Sequence, residues 1–195
     1  MTPEREEKIK SVIKRRQPDL TVIIENVHDP HNIFAIMRTC DSVGIQEVFV
    51  IDTHRIFHEK THYGKRSSAS SMKWVDLRIY DTCEECMVEV RKKYINIYST
   101  YLSKESVSLY ELSLTGSTAL VFGNEKDGLS KEVLKYCDQN FVIPSVGMIR
   151  SLNVSVACAV TLYEAYRQRD QMQMYSKPRL DASASEELFQ NLSQR

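Results

Sequence analysis

The chain has 195 residues, 42% of them hydrophobic and 27% charged, which suits one domain, or one domain with extensions, of an ordinary globular protein. Its 26 Lys and Arg balance 26 Asp and Glu, so net charge points to no nucleic acid or membrane surface, and any such partner must use local patches. The longest apolar runs are about five residues, such as 119–122 and 156–160, far too short for a membrane helix, the charged head 1–17 lacks the apolar stretch of a secretory signal, and five cysteines without a framework fit a reducing cytoplasm better than a secreted scaffold.

Residues 5–16 read as a short basic helix ending in Lys14, Arg15 and Arg16, with Pro18 closing it. Residues 20–24 are a compact β-branched run, the mark of a buried strand. Residues 32–43 read as a helix, with Ile33, Ile36, Met37 and Cys40 on one face, Asn32 as N-cap and Gly44 just past the end. Residues 47–51 form a second strand, 53–73 are polar and basic without a clean period, and 74–79 form a third strand. A helix over 81–93 has Asp81 and Glu84 in a capping-box relation and a stripe of Cys83, Cys86, Met87 and Val90. Strands follow at 94–99 and 118–122, then a short helix over 130–136 capped by Ser130. A strand over 141–143 stops at Pro144, and a long helix spans 153–169, apolar at Val156, Val160 and Tyr163. The tail 177–195 opens with a Pro-containing linker and ends in a weak helix around 186–192. Such alternation predicts an α/β fold, a mainly parallel sheet with helices on both faces. Ligands of such sheets bind where strand carboxyl ends run into helices.

Three of those loops carry more chemistry than turns require. Residues 25–32 hold two His, two Asn and two acids. Arg38 then stands beside an apolar stripe, where its guanidinium fork suits a phosphate or ribose. Residues 123–130 have the glycine spacing of a triphosphate-binding loop, at Gly123 and Gly128. That motif needs Lys directly after the second Gly; here it is Leu129, and Glu125 and Asp127 would repel a triphosphate. The dinucleotide fingerprint is absent as well. In the third segment Ser151, Asn153 and Ser155 alternate with Leu152 and Val154 at a helix start, more polar groups than one cap uses. Cys83 and Cys86 have metal-ligand spacing but lie on an apolar stripe and read as core. His54, His58 and His62 recur every four residues without an acidic third ligand and read as part of a solvated or RNA-facing basic loop.

Asn32, Ala35 and Arg38 match an N-x-x-A-x-x-R motif; Gly123, Asn124, Glu125 and Gly128 match a second; Ile143, Pro144 and the run Ser151, Leu152, Asn153, Val154, Ser155 match a third. In this order, across about residues 20–170, they resemble the SpoU/TrmH-type RNA ribose methyltransferases of the SPOUT superfamily. The segments 15–22, 28–32 and 162–165 look closest to the branch that methylates the 2′-oxygen of guanosine 18 in tRNA. The resemblance implies a SPOUT α/β knot, with a C-terminal deep trefoil knot, over residues 20–170. A basic helical extension would precede it at 1–19 and a second extension follow at 171–195. It implies S-adenosylmethionine held in the knot by Thr100, Tyr101, Leu102, Gly123, Ile143, Ser145, Met148 and Leu152. It implies a cytoplasmic homodimer with the site at the interface, without metal or membrane. Arg38 would sit at the ribose, oriented by Asn32, Glu125, Ser151 and Asn153. An arginine keeps its proton near neutral pH, so a substrate phosphate acting with Arg38 is the easier proton acceptor. With zero net charge the tRNA footprint must be patchy, and the candidates are Lys8, Lys10, Lys14, Arg15 and Arg16 at the head and Arg55, Lys60, Lys65 and Arg66 in the middle. Two other substrates stay open, a ribose in ribosomal RNA or another tRNA position. So does an inactive RNA-binding module on the same fold, which the intact Arg38, Glu125, Ser151 and Asn153 oppose.

Overall fold

A computed structural model describes residues 1–55, 73–124, 126–148 and 151–195; the expectations for His58, Lys60, His62, Lys65, Arg66, Glu125 and most of the segment 53–73 lie outside the described residues. The strands β1 (Leu20–Glu25), β2 (Glu47–Ile51), β3 (Asp76–Tyr80), β4 (Asn96–Thr100), β5 (Val107–Ser108), β6 (Thr118–Phe122) and β7 (Gln139–Val142) form one sheet in the order β3-β2-β1-β6-β4-β7-β5. Every neighbouring pair is parallel. The central β1 and β6 are buried throughout, as the middle of a sheet covered on both faces must be. The last strand, β7, is inserted between β4 and β5, which are consecutive in the chain.

Two helices, α2 (Pro30–Ser42) and α5 (Val154–Gln171), cover one face, where Ile33, Ile36, Met37 and Cys40 pack with Cys158, Leu162 and Ala165. The opposite face carries α3 (Cys83–Lys93) and α4 (Lys131–Leu134), with Cys83, Cys86, Met87, Val90 and Val133 in a second cluster, so both cysteines are core. The terminal helices α1 (Pro3–Ile13) and α6 (Ala182–Gln194) pack on each other through Ile9, Ile13, Leu188 and Leu192, with Trp74 against them. No described helix is long and apolar enough to cross a membrane.

Several local readings of the sequence are corrected. Asp29, not Asn32, caps α2, its carboxylate accepting the His31 N–H at 2.9 Å. Pro30 fits the first turn with its fixed φ and missing N–H, so the helix starts earlier and Asn32 lies inside it. Thr82, not Asp81, caps α3: its hydroxyl accepts from the Glu85 N–H and donates to the Glu85 carboxylate at 2.9 Å, so the cap lies one residue later than read and is not the reciprocal box expected. Gly44 does stand just past α2, at φ +88°, and a Cβ there would lie 2.6 Å from the Arg15 carbonyl oxygen. On α5 the buried face is Val154, Cys158, Thr161, Leu162 and Ala165, whereas Val156 and Tyr163 are 47% and 54% exposed. The buried face includes Thr161 and Arg169, which a hydrophobic period counts as solvent-facing.

Arg16 is corrected as an RNA contact. Its side chain is 1% exposed, donates to the Ile45 and Trp74 carbonyls at 3.0 and 2.9 Å, and pairs with Asp41 at 3.0 Å. Burial pushes its pKa down, against the pull of Asp41. Arg169 is the second buried guanidinium. It donates to the Leu114 carbonyl at 2.9 Å, to Gln17 at 3.0 Å, to Asp19 at 2.7 Å and to the Gly116 carbonyl at 2.7 Å. One side chain thus joins the head, the entry to β1, the approach to β6 and α5. Truncating one member of such a network leaves buried partners unpaired, at a cost of about 3–5 kcal/mol. We expect Arg169→Ala to lose about 3 kcal/mol or more in urea denaturation, and a loss under about 1 kcal/mol would contradict the role assigned to this hub.

Candidate active site

At the carboxyl edge of β4, β6 and β7 the sheet opens into a cavity of about 700 Å³. Three loops line it, one after each of those strands, as expected for a parallel sheet. Thr100, Tyr101, Leu102, Gly123, Ile143, Ser145 and Leu152 all face it, and so does Ser151. Met148 is 98% exposed and is not among the lining residues. Sequence reasoning missed Phe122 and Phe141, core residues behind the cavity near the ends of their strands, and Lys126, a charge at the rim beside Asp127. The signal available for the first pair was their place at the strand ends.

The β6–α4 loop doubles back tightly. A Cβ on Gly123 would sit 2.3 Å from the Gly128 carbonyl carbon and 2.4 Å from its oxygen, so only glycine fits. The Asn124 side-chain oxygen accepts the N–H groups of Lys126 and Asp127 at 2.6 and 2.9 Å, and the Gly128 N–H goes to the Asn124 carbonyl at 3.0 Å. Gly128 sits at φ +69°. The N–H groups of Lys126, Asp127 and Gly128 are therefore already used and cannot cradle a triphosphate, which agrees with the missing lysine.

The first and third motifs meet beside this cavity. Asn153 caps α5, its side-chain oxygen accepting from the Ser155 N–H at 2.8 Å and the Ser155 hydroxyl at 2.6 Å. Its amide nitrogen donates to the Asn32 side-chain oxygen at 3.1 Å. One residue serves both as cap and as bridge, which explains the surplus of polar groups at this helix start. Arg38 is exposed on α2 and is not among the described residues lining the cavity. Of the basic candidates, Lys8, Lys14 and Arg15 are exposed. Lys10 pairs with Glu6 and lies 5.5 Å from the Phe189 ring centroid. Arg55 pairs with Asp81 at 2.9 Å.

The model of the SpoU rRNA Methylase family matches residues 19–163, and the chain belongs to that family. It is similar over nearly its whole length to the tRNA (guanosine(18)-2'-O)-methyltransferase of Thermus thermophilus, 42% identical over 194 residues, covering 98% of this chain and 94% of the relative. Among solved structures, the A. aeolicus TrmH/SpoU tRNA modifying enzyme matches with a TM-score of 0.84 and 36% identity, over 98% of this chain and 95% of the other. The SpoU methyltransferase AviRb from Streptomyces viridochromogenes, solved in complex with the cofactor AdoMet, matches with a TM-score of 0.66 and 27% identity, over 81% of this chain and 60% of that one.

The glycine geometry is testable without any ligand. Gly123→Ala should lower the melting temperature and speed amide exchange over 123–130, because the backbone of the loop must move. Gly147→Ala, whose added Cβ would meet nothing within 4 Å, should change neither. Equal behaviour of the two variants in exchange mass spectrometry would contradict the tight turn.

Proposed function

We propose that this chain transfers the methyl group of S-adenosylmethionine to the 2′-hydroxyl of a tRNA ribose, that of guanosine 18. One observation carries the reading: the Asn32–Asn153 hydrogen bond ties the first and third motifs together at the rim of a cavity built by the loops after β4, β6 and β7. The near full-length similarity to the Thermus enzyme named for that reaction supports the substrate.

The cavity suits the cofactor. Its roughly 700 Å³ falls in the usual range for small-molecule sites. Leu102, Ile143 and Leu152 offer apolar walls for a purine, while the peptide groups of the strand ends offer donors and acceptors for its edge and for a ribose. Lys126 and Asp127 offer one charge of each sign for a zwitterionic tail. Bound there, S-adenosylmethionine would supply a methyl group on a sulfonium; the C–S electron pair stays on sulfur, and the neutral thioether leaves without acid or metal help. The protein must then align the ribose oxygen and stabilise the charge that develops on it. Arg38 does this with a fork that can hold the ribose oxygen and a neighbouring phosphate together. The phosphate is the proton acceptor. Ser151, Glu125 and Asn153 orient the ribose, and Asn32 fixes Asn153.

We infer a homodimer. Arg38 is not among the described residues lining its own chain's cavity, and Val156 and Tyr163 leave an apolar stripe on α5 next to α2, where the Tyr163 hydroxyl lies 3.4 Å from Ser42. In such a dimer the partner subunit's Arg38 completes each site. The insertion of β7 between β4 and β5 supports a knotted C-terminal segment. Residues 20–170 form the methyltransferase domain, with 1–19 and 171–195 as extensions. Five free cysteines agree with a reducing, cytoplasmic setting. The RNA patch at the head reduces to Lys8, Lys14 and Arg15, with Lys10 partly engaged.

Labelled S-adenosylmethionine and an unmodified tRNA transcript should give methyl incorporation that a transcript with adenosine at position 18 does not support. Incorporation into a ribosomal RNA fragment alone would overturn the substrate. Arg38→Ala and Arg38→Lys should each lose on the order of 10²–10⁴ in kcat, with KM little changed, since the charge exists only in the transition state. A Lys variant of near-normal kcat would refute the two-point fork. Changing Lys14 and Arg15 to Ala, with Arg16 left in place, should weaken tRNA binding and flatten its salt dependence without altering cofactor affinity.

A further inference from the structure

We infer that Glu25 is a positioning residue for the loop between β6 and α4, holding that loop in its binding shape; the inference rests on reading the cavity as the S-adenosylmethionine site. Glu25 ends β1 and is 2% exposed. By the period of the strand it faces the same side as Ile23, among Ile51, Leu129 and Val133. A carboxylate is costly in such surroundings unless it holds something. Its Oε2 accepts the Ser130 N–H at 2.8 Å. Ser130 is the last residue of the loop and the cap of α4.

The loop is thereby pinned at both ends. Its start is fixed by β6 and the close approach of Gly128 to Gly123. Its end is fixed to β1, a fully buried central strand that the loop does not itself connect. Between the two pins, Gly123, Asn124, Lys126, Asp127 and Gly128 all line the cavity. Without the carboxylate, the Ser130 N–H loses its acceptor and the loop's far end is free to drift from the cavity wall. The role needs an acceptor at this place rather than a negative charge, so glutamine can fill it.

Calorimetric titration of S-adenosylmethionine into the full chain tests this, with melting and amide exchange measured on the same samples. Glu25→Ala should weaken binding by about tenfold or more, and Glu25→Gln should stay within about threefold of wild type. Glu47→Ala is the control: Glu47 holds Arg78, Lys93 and Tyr94 at the other end of β2, so its loss should lower the melting temperature and leave affinity unchanged. Wild-type affinity in Glu25→Ala, or an equal loss in Glu47→Ala, would overturn the assignment. If Glu25→Ala does not fold, Ser130→Pro against Ser130→Ala decides. Both lose the capping hydroxyl, only proline loses the N–H, and Ser130 already has φ −67°. Weaker binding by the proline variant supports the latch, and equal binding refutes it. A wild-type chain that binds no S-adenosylmethionine would refute the reading of the cavity instead. The latch is then judged by exchange over 123–130, which Glu25→Ala must accelerate and Glu25→Gln must not; equal rates refute it.

Discussion

The seventh strand enters the sheet between β4 and β5, and the carboxyl edge takes its form from that insertion. It sets the loop after β7 beside the loops after β4 and β6, so three strand ends that are far apart in the chain enclose one cavity. It also sends the chain onward to α5, on the face already covered by α2. Asn153 then reaches Asn32 because α5 begins where α2 begins. A strand added at the outer edge would make the same hydrogen bonds to one neighbour but would not bring its following loop to Gly123.

Electrostatics follow a similar economy. Positive charge does two different jobs in a chain with none to spare. Arg16 and Arg169 are spent inside, on main-chain carbonyls and carboxylates that come from segments distant in sequence. Arg38, Lys8, Lys14 and Arg15 stand outside, where an RNA backbone can be met. The same residue type thus builds the scaffold in one place and, in the function proposed, would address the substrate in another, and only burial separates the two.

Much of the fold was readable because it rests on local pattern. The β-branched run at β1, the stripe of Ile33, Ile36, Met37 and Cys40 on α2, and the polar surplus at residues 151–155 each appear within a dozen residues of sequence. What escaped was long-range or one step out of phase. Arg16 looked like surface because Ile45 and Trp74, its partners, are remote in sequence. On α5, Val160 does pack against the core, but Val156 and Tyr163 were taken for the inner face because that face hides Thr161, whose hydroxyl bonds the Ala157 carbonyl, and Arg169, whose partners lie on other elements. Asn32 lost its capping role to Asp29, which left its side chain for the bridge to Asn153. Glu25 was counted among the surplus acids of residues 25–32, but its role stayed hidden because its partner, Ser130, is remote in sequence.

On this account the two halves of the site, a cofactor cavity and an arginine, meet across a subunit boundary. Co-refolding Arg38→Ala chains with Gly123→Ala chains tests that most directly. Each variant alone should be nearly inactive. In an equal mixture half the dimers are mixed, and each mixed dimer holds one intact cavity facing one intact arginine, so methyl transfer to tRNA should recover to about a quarter of wild type. A mixture no more active than its parents would contradict the account and place Arg38 with the cavity of its own chain.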